Sequence, residues 1–336
     1  MQHRDDALTE YAAAVIRGVD MSFETSDTLR YIADWSPEPV ESSDPLAPKQ
    51  ATDLAATLDL DDRFAVGSAL PPLWQWIYFP EWPRTVELGA DGHPHDGHFL
   101  PPIPNRRRMF AGGRISISSP LLLGESAVRR SEVTGTAVKH GSTGELLFVT
   151  VRSSYRQGPA VRLVEEQDLV YRSDAGTATS FTRTTEPLAA QSTPWAAEPV
   201  PNPALLFRFS ALTANAHRIH YDEPYTTGTE GFPALVVHGP LLAIYMAELL
   251  RAHGPRRSVA RFDFRLRRPV FLGDRIRVQG EPGAREERDE PGAREERKEP
   301  CAREERNGQG DGDTTVRLSV VSGAGAVHAT ATATYA

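Results

Sequence analysis

The sequence predicts an α+β fold in which antiparallel strands wrap a central helix, built twice within one chain of 336 residues. Three observations carry this expectation. Residues 240–252 form an apolar helical run that is hydrophobic around most of its circumference, with only Glu248 and Arg251 left for a wet side. A helix of that kind must be covered on nearly all faces, which a curling sheet does. Runs alternating with the two-residue period of half-buried strands fill both halves, at 147–155 and 163–171, then at 315–321 and 326–335. Lastly, Ile115 begins a segment with Pro120, three leucines, Gly124 and Glu125, and Phe262 begins a matching one with Pro269, three apolar residues, Gly273 and Asp274, the Pro, Gly and acidic positions each lying 149 residues apart.

Taken in order, residues 1–34 read as an N-terminal extension with one short amphipathic stretch at 7–17. The first half spans 35–171. Its opening, 37–48, is rich in Pro, Ser and acidic residues and reads as a loop, after which 51–60 returns to helical spacing. Residues 71–82, PPLWQWIYFPEW, are expected to form a second apolar helix opening on proline, the counterpart of 240–252. Residues 88–102 carry Asp91, His93, His95, Asp96 and His98 between glycines and prolines. Their spacing matches no standard metal cage, so the segment reads as a loop over the entrance to the site, and no metal is expected. Residues 172–203, rich in Ala, Ser, Thr and Pro, read as a linker to the second half at 204–336. Within that half, EPGAREER recurs twice and then once as EPCAREER across 281–306. Nearly balanced charge and the lack of large apolar residues mark these units as a solvated, lengthened hairpin tip.

Composition narrows the classes of function. A net charge of −8 disfavours a nucleic-acid partner. A lone cysteine, Cys301, excludes an intrachain disulfide and a cysteine metal cage. No apolar run approaches a membrane span, and the N-terminus does not read as a secretion signal. The expectation is a cytoplasmic protein without a membrane partner.

The chemistry-bearing groups gather just before residues 240–252. Asn215, His217, His220 and Asp222 fall within eight residues, and His238-Gly239 arrives at the helix start. A histidine suits proton abstraction near neutral pH, and the free N–H groups of a helix start suit an oxyanion. The corresponding stretch of the first half, AATLDLDDRF at 55–64, has no histidine. One site is therefore expected, chemically equipped by the second half and shaped by the first.

The order Asn215-Ala-His217-Arg218-Ile-His220-Tyr-Asp222, followed by Gly231 and by Val236-Val237-His238-Gly239-Pro240, resembles the hydratase motif of the MaoC-like hot-dog hydratases and dehydratases. The resemblance runs from about residue 35 to 336. It is similar to the tandem hot-dog branch containing mesaconyl-CoA and itaconyl-CoA hydratases and type 2 hydroxyacyl-thioester dehydratases. That branch also has a DGHP loop and an Arg-Arg-Met-x-Ala-Gly-Gly run, here at 107–113. One departure stands out: the family aspartate is replaced by Asn215, and its asparagine and proline by His217 and Arg218.

The resemblance implies a double hot-dog hydro-lyase acting on an acyl-CoA, with CoA only as part of the substrate and no other cofactor. It implies His220 as the base and the Gly239 N–H as part of the oxyanion site. Asn215 can orient water but cannot ionise, so the aspartate's part is either unfilled or taken by another group, with His217 and Asp222 as candidates, while His238 supports the turn. Arg208, Arg218, Arg265, Arg267 and Arg268 are candidates for CoA phosphates or a substrate carboxylate, although for the last three, on an alternating strand, a solvated face is the preferred reading. Trp74, Trp76 and Tyr78 belong either to an acyl pocket or to the core. A short dicarboxylic acyl-CoA is the expected substrate. A 3-hydroxyacyl-thioester dehydratase of fatty-acid or polyketide type is the alternative, and a non-catalytic acyl-thioester-binding subunit is the rival from another class. A homodimer of the tandem chain is compatible with either enzyme.

Overall fold

The computed structural model describes residues 27–104, 106–141, 144–172, 181–255, 257–283 and 315–336. The amphipathic stretch at 7–17 and most of the repeat insertion lie outside the described residues.

Helix α1 (Asp27–Ile32), strand β1 (Val40–Asp44) and helix α2 (Pro48–Thr57) open the described chain. Four long strands follow: β2 (Arg107–Ile117), β3 (Ala127–Gly141), β4 (Gly144–Gln157) and β5 (Ala160–Arg172). Short strand β6 (Trp195–Ala197) leads to helices α3 (Pro203–Leu212), α4 (Glu223–Gly228) and α5 (Gly239–His253). The chain ends with β7 (Val259–Leu266), β8 (Ile276–Pro282), β9 (Val316–Ser322) and β10 (Val327–Tyr335). All ten strands join one antiparallel sheet in the order β1-β3-β4-β5-β2-β7-β10-β9-β8-β6.

The sheet packs against α5 because that helix has almost no polar face. Leu241, Leu242, Ala243, Ile244, Met246, Ala247, Leu249 and Leu250 are all buried, and each large side chain removed from water contributes about 1.5–3 kcal/mol. Even Glu248, expected on the wet side, is covered: its carboxylate accepts the Trp74 indole N–H at 3.0 Å and pairs with Arg251. Burial raises its pKa despite these partners. The first half thus closes the helix's last open face.

The two halves meet where β2 pairs with β7, Gly112 opposite Arg265 and Ile115 opposite Phe262. The glycines of the Ala-Gly-Gly run make this approach feasible. A Cβ on Gly112, at φ +153°, would sit 2.4 Å from the Phe264 carbonyl oxygen, and one on Gly113 would sit 2.8 Å from that of Glu166.

The repeat legible in the sequence is also geometric. Gly124 and Gly273 both turn with φ near +80° to +90°. The Leu70 amide donates to the Leu121 carbonyl at 2.8 Å, as Val237 does to Val270 at 2.8 Å. From this shared bridge the halves diverge. The helix expected at 71–82 is only a four-residue 3-10 turn, Trp74–Ile77. Pro71 and Pro72 lack N–H groups, Leu73 and Phe79 have φ of 71° and 56°, and Tyr78 is extended, so no longer helix can propagate. The expectation of a central helix in each half is therefore corrected: α5 alone is central, and the turn packs Trp74 and Ile77 into the same core.

Residues 172–203 are also more than a connection, since they contribute β6, which pairs with β8 at the sheet edge. Just past the C-terminal end of β8, the Gly283 amide donates to the Thr315 carbonyl at 2.6 Å. The repeat insertion thus leaves and re-enters at one point of the β8–β9 hairpin. No described helix is long and apolar enough to cross a membrane.

Candidate active site

A cavity of about 1960 Å³ opens between the halves. Asn215, His217, His220 and Gly239 line it from the second half, and Trp76, Asp91, His93 and Phe110 from the first.

The motif segment folds as a series of tight turns after α3. The Asn215 amide donates to the Ser210 carbonyl, and its side-chain oxygen accepts the His217 amide at 3.0 Å, so Asn215 acts as a turn former. A 3-10 turn, Arg218–His220, then brings His220 inward. Asp222 caps α4 through the Tyr225 amide and pairs with Arg218 at 2.7 Å. The hydrogen bonds from Arg218 hold the Asp222 carboxyl below its usual range. Asp222 is outside the cavity lining, which removes it as a stand-in for the missing aspartate.

His220 is buried, and its Nδ1 lies 2.8 Å from the Val236 carbonyl oxygen. Since a carbonyl only accepts, Nδ1 carries the proton and Nε2 keeps its lone pair. The ring stacks on His238 with centroids 3.7 Å apart and planes 19° apart. His238 in turn bonds Ser210 Oγ through Nε2 at 2.8 Å, while its Nδ1 is buried without a partner among the described residues. Burial pushes His220 down to about 3, with His217 adding to the effect. Burial also depresses His238 well below the ordinary value, reinforced by His220. The site is therefore set up around neutral imidazoles.

His238 precedes the first turn of α5, so its stack on His220 brings the Gly239 amide to the same wall of the cavity. That amide has no hydrogen-bond partner among the described residues. A Cβ at 239 would lie 2.3 Å from Leu266 Cδ1, which suits this position to glycine.

The first half contributes chemistry that sequence reasoning missed. The 88–102 loop docks directly on the motif, with the Arg218 amide and guanidinium donating to the carbonyls of Asp91 and Ala90, both at 2.8 Å. Gly92, at φ +90°, presses so close that a Cβ would fall 1.9 Å from the Ala216 carbonyl oxygen. Asp91 accepts from the His93 amide and from His93 Nδ1, both at 2.9 Å. The His93 ring lies 4.1 Å from His217, and His217 meets His220 edge-on at 5.6 Å. Burial opposes the charge on Asp91, yet the His93 hydrogen bonds and neighbouring histidines bring it down to about 2. Burial lowers His217 to about 3, with His93 assisting and Asp91 opposing.

Donor atoms of Asp91, His93 and His217 lie within 4.8 Å of one another. The Asp91–His93 contact is that of a hydrogen-bonded pair. The other loop residues do not join them: His98 contacts the Glu38 carbonyl, and the His95 carbonyl accepts from Arg106. No spacing rule links position 91 to 217, so only the fold reveals the cluster. The expectation that the second half alone equips the site is corrected accordingly.

The remaining candidates divide. Trp76 and Tyr78 line the cavity, Trp76 with its N–H bonded to Glu165 at 2.6 Å. Trp74 is wholly buried behind it, held by Glu248. Arg208 donates to the Ala56 carbonyl and Arg218 stacks over Tyr225, and neither lines the cavity. Arg265, Arg267 and Arg268 do line it, as does Arg108, with Arg265 held by Asp168 at 3.1 Å.

Comparison with known proteins agrees with this geometry. Residues 73–272 match the hydroxyacyl-thioester dehydratase type 2 family. The chain is 43% identical to the mesaconyl-C(4)-CoA hydratase of Chloroflexus aurantiacus, across 74% of this chain and 93% of that protein. It is 27% identical to the mitochondrial hydroxyacyl-thioester dehydratase type 2 of Schizosaccharomyces pombe, across 63% of this chain and 77% of that one. Among solved structures, a MaoC-like dehydratase from Phytophthora capsici superposes with a TM-score of 0.57 at 14% identity, over 92% of this chain and 98% of its own. HtdX of Mycobacterium tuberculosis does so at 0.56 and 17%, over 88% and 100%.

Proposed function

Because the chain belongs to the hydroxyacyl-thioester dehydratase type 2 family and shares the MaoC-like hot-dog fold, we propose how its site works and on which substrate. The protein is a hydro-lyase that adds or removes water across the 2,3 double bond of an enoyl-CoA thioester. We read it as two hot-dog units in tandem, the first having shortened its helix to the Trp74–Ile77 turn. The paired Gly124 and Gly273 turns and the matching Leu70 and Val237 bridges support this reading.

The observation that carries the mechanism is the commitment of His220 Nδ1 to the Val236 carbonyl, which leaves Nε2 as the unprotonated nitrogen of a ring that lines the cavity. In hydration, the water oxygen bonds to Cβ as His220 Nε2 takes its proton, and charge building on the thioester oxygen meets the Gly239 amide. The proton is then delivered to Cα, so one water is added with no net change in the protein. The addition is redox-neutral, and the proposed reaction needs only these side chains and the acyl-CoA.

A short dicarboxylic substrate such as mesaconyl-CoA or itaconyl-CoA is the preferred choice. The 43% identical relative is named for mesaconyl-C(4)-CoA, and arginines such as Arg108 and Arg268 in the lining could meet a free carboxylate. The Schizosaccharomyces pombe relative favours a second reading, dehydration of a 3-hydroxyacyl thioester. Following enoyl-thioester absorbance with mesaconyl-CoA, itaconyl-CoA and crotonyl-CoA separates the two. We expect kcat/KM at least tenfold higher for a dicarboxylic substrate. A preference for crotonyl-CoA would move the assignment to the second reading.

A further inference from the structure

The motif lacks an ionisable group at position 215, and Asn215 spends its side-chain oxygen on the His217 amide. A carboxylate nevertheless reaches the site from another part of the chain. Asp91 holds His93 by two hydrogen bonds of 2.9 Å, His93 lies against His217 at 4.1 Å, and His217 stands edge-on to His220 at 5.6 Å. All four side chains line the cavity. The loop bearing Asp91 is fixed to the motif through both the backbone and the guanidinium of Arg218, and by the close fit of Gly92 against Ala216.

Resting on the hydratase reading above, we propose that Asp91 fills the carboxylate role missing at Asn215, as a positioning residue supplied by the half that lacks the motif. It orients His93, which in turn braces the neutral His217 ring that shares the attacking water with His220. When His220 takes the water's proton, a cation forms on a buried ring that lies between the neutral His217 and His238 rings. The negative charge of Asp91, two rings away, offsets that cation until the proton passes to Cα. Water's oxygen ends on Cβ and its proton on Cα, and Asp91, His93 and His217 finish as they began. This explains why a loop outside the motif is held so closely to it. It also explains how an asparagine can occupy the aspartate position.

The test compares the full-length protein with Asp91→Asn, Asp91→Glu and His93→Gln. The readouts are kcat and KM on mesaconyl-CoA, with and without a chelator, and the histidine ring resonances at pH 7 followed by NMR. A positioning charge predicts that Asp91→Asn lowers kcat by about 10- to 100-fold with KM changed less than threefold. It further predicts that Asp91→Glu restores part of the rate, that chelator has no effect, and that the His217 ring resonances at pH 7 move in Asp91→Asn. If Asp91→Asn does not fold, His93→Gln carries the same kinetic prediction. Unchanged kcat in Asp91→Asn or His93→Gln, or activity abolished by chelator, would overturn the proposal while leaving the hydratase reading intact. If the unsubstituted protein hydrates none of the thioesters, that reading fails instead. The His217 ring resonances at pH 7 then still decide whether Asp91 acts on the cluster, and resonances unmoved in Asp91→Asn overturn it.

Discussion

His220 owes its neutral state to what surrounds it. With the ring stacked on His238 and edge-on to His217, protonation would place a charge between two neutral imidazoles in a site shielded from water. The same arrangement makes the fold sensitive to acid. His217 and His220 sit at about 3 in the folded chain and His238 is also depressed, whereas in the unfolded chain each titrates near 6.5. Below that value the unfolded state binds protons that the folded state refuses. Each such histidine therefore removes about 1.4 kcal/mol of stability per pH unit as the pH falls from about 6.5 toward 3. Urea unfolding at pH 7, 6 and 5 should show a falling midpoint, with a shallower fall in His217→Gln. A midpoint independent of pH would contradict the neutral cluster.

Among the elements, the loop seated on the motif decides whether the site forms. Gly92 must adopt φ +90° with no Cβ, because the Ala216 carbonyl fills the space. Gly92→Ala combines backbone strain with a steric clash and should cost about 1–3 kcal/mol. It should lower kcat at least tenfold while the remote β8–β9 hairpin stays folded, as hydrogen exchange would report. Wild-type kcat in this variant would show that the loop is a passive cover. Legibility differed sharply between elements. The 240–252 run was readable because its apolar residues cover almost every face. The 71–82 run carried a similar apolar content, but positive φ at Leu73 and Phe79 and the double proline confine it to one turn. Composition does not distinguish a buried helix from a buried turn that fills the same space.

At the scale of the molecule, two unequal halves share one sheet. The 149-residue offset between Pro120 and Pro269 pointed to the matching turns at Gly124 and Gly273, and the absence of histidine from 55–64 pointed to the second half as the carrier of the motif. His220, Asn215 and Gly239 were found because they are neighbours in the motif, and they do share a cavity. Asp91 and His93 were passed over as parts of a loop, because their meeting with His217 depends on the β2–β7 junction and the docking of 88–102. Arg208, Arg218 and Trp74 had suitable chemistry, but their side chains are turned to other partners. Contacts between halves arise from the sheet, and local pattern carries no record of them.

In the proposed mechanism one buried histidine, His220, removes the proton from water. The most direct test is the hydration rate of mesaconyl-CoA by His220→Ala beside the unsubstituted protein, with circular dichroism to establish that both are folded. The account predicts a loss in kcat of about 10²- to 10⁴-fold. A folded His220→Ala protein that hydrates the thioester at the wild-type rate would contradict it.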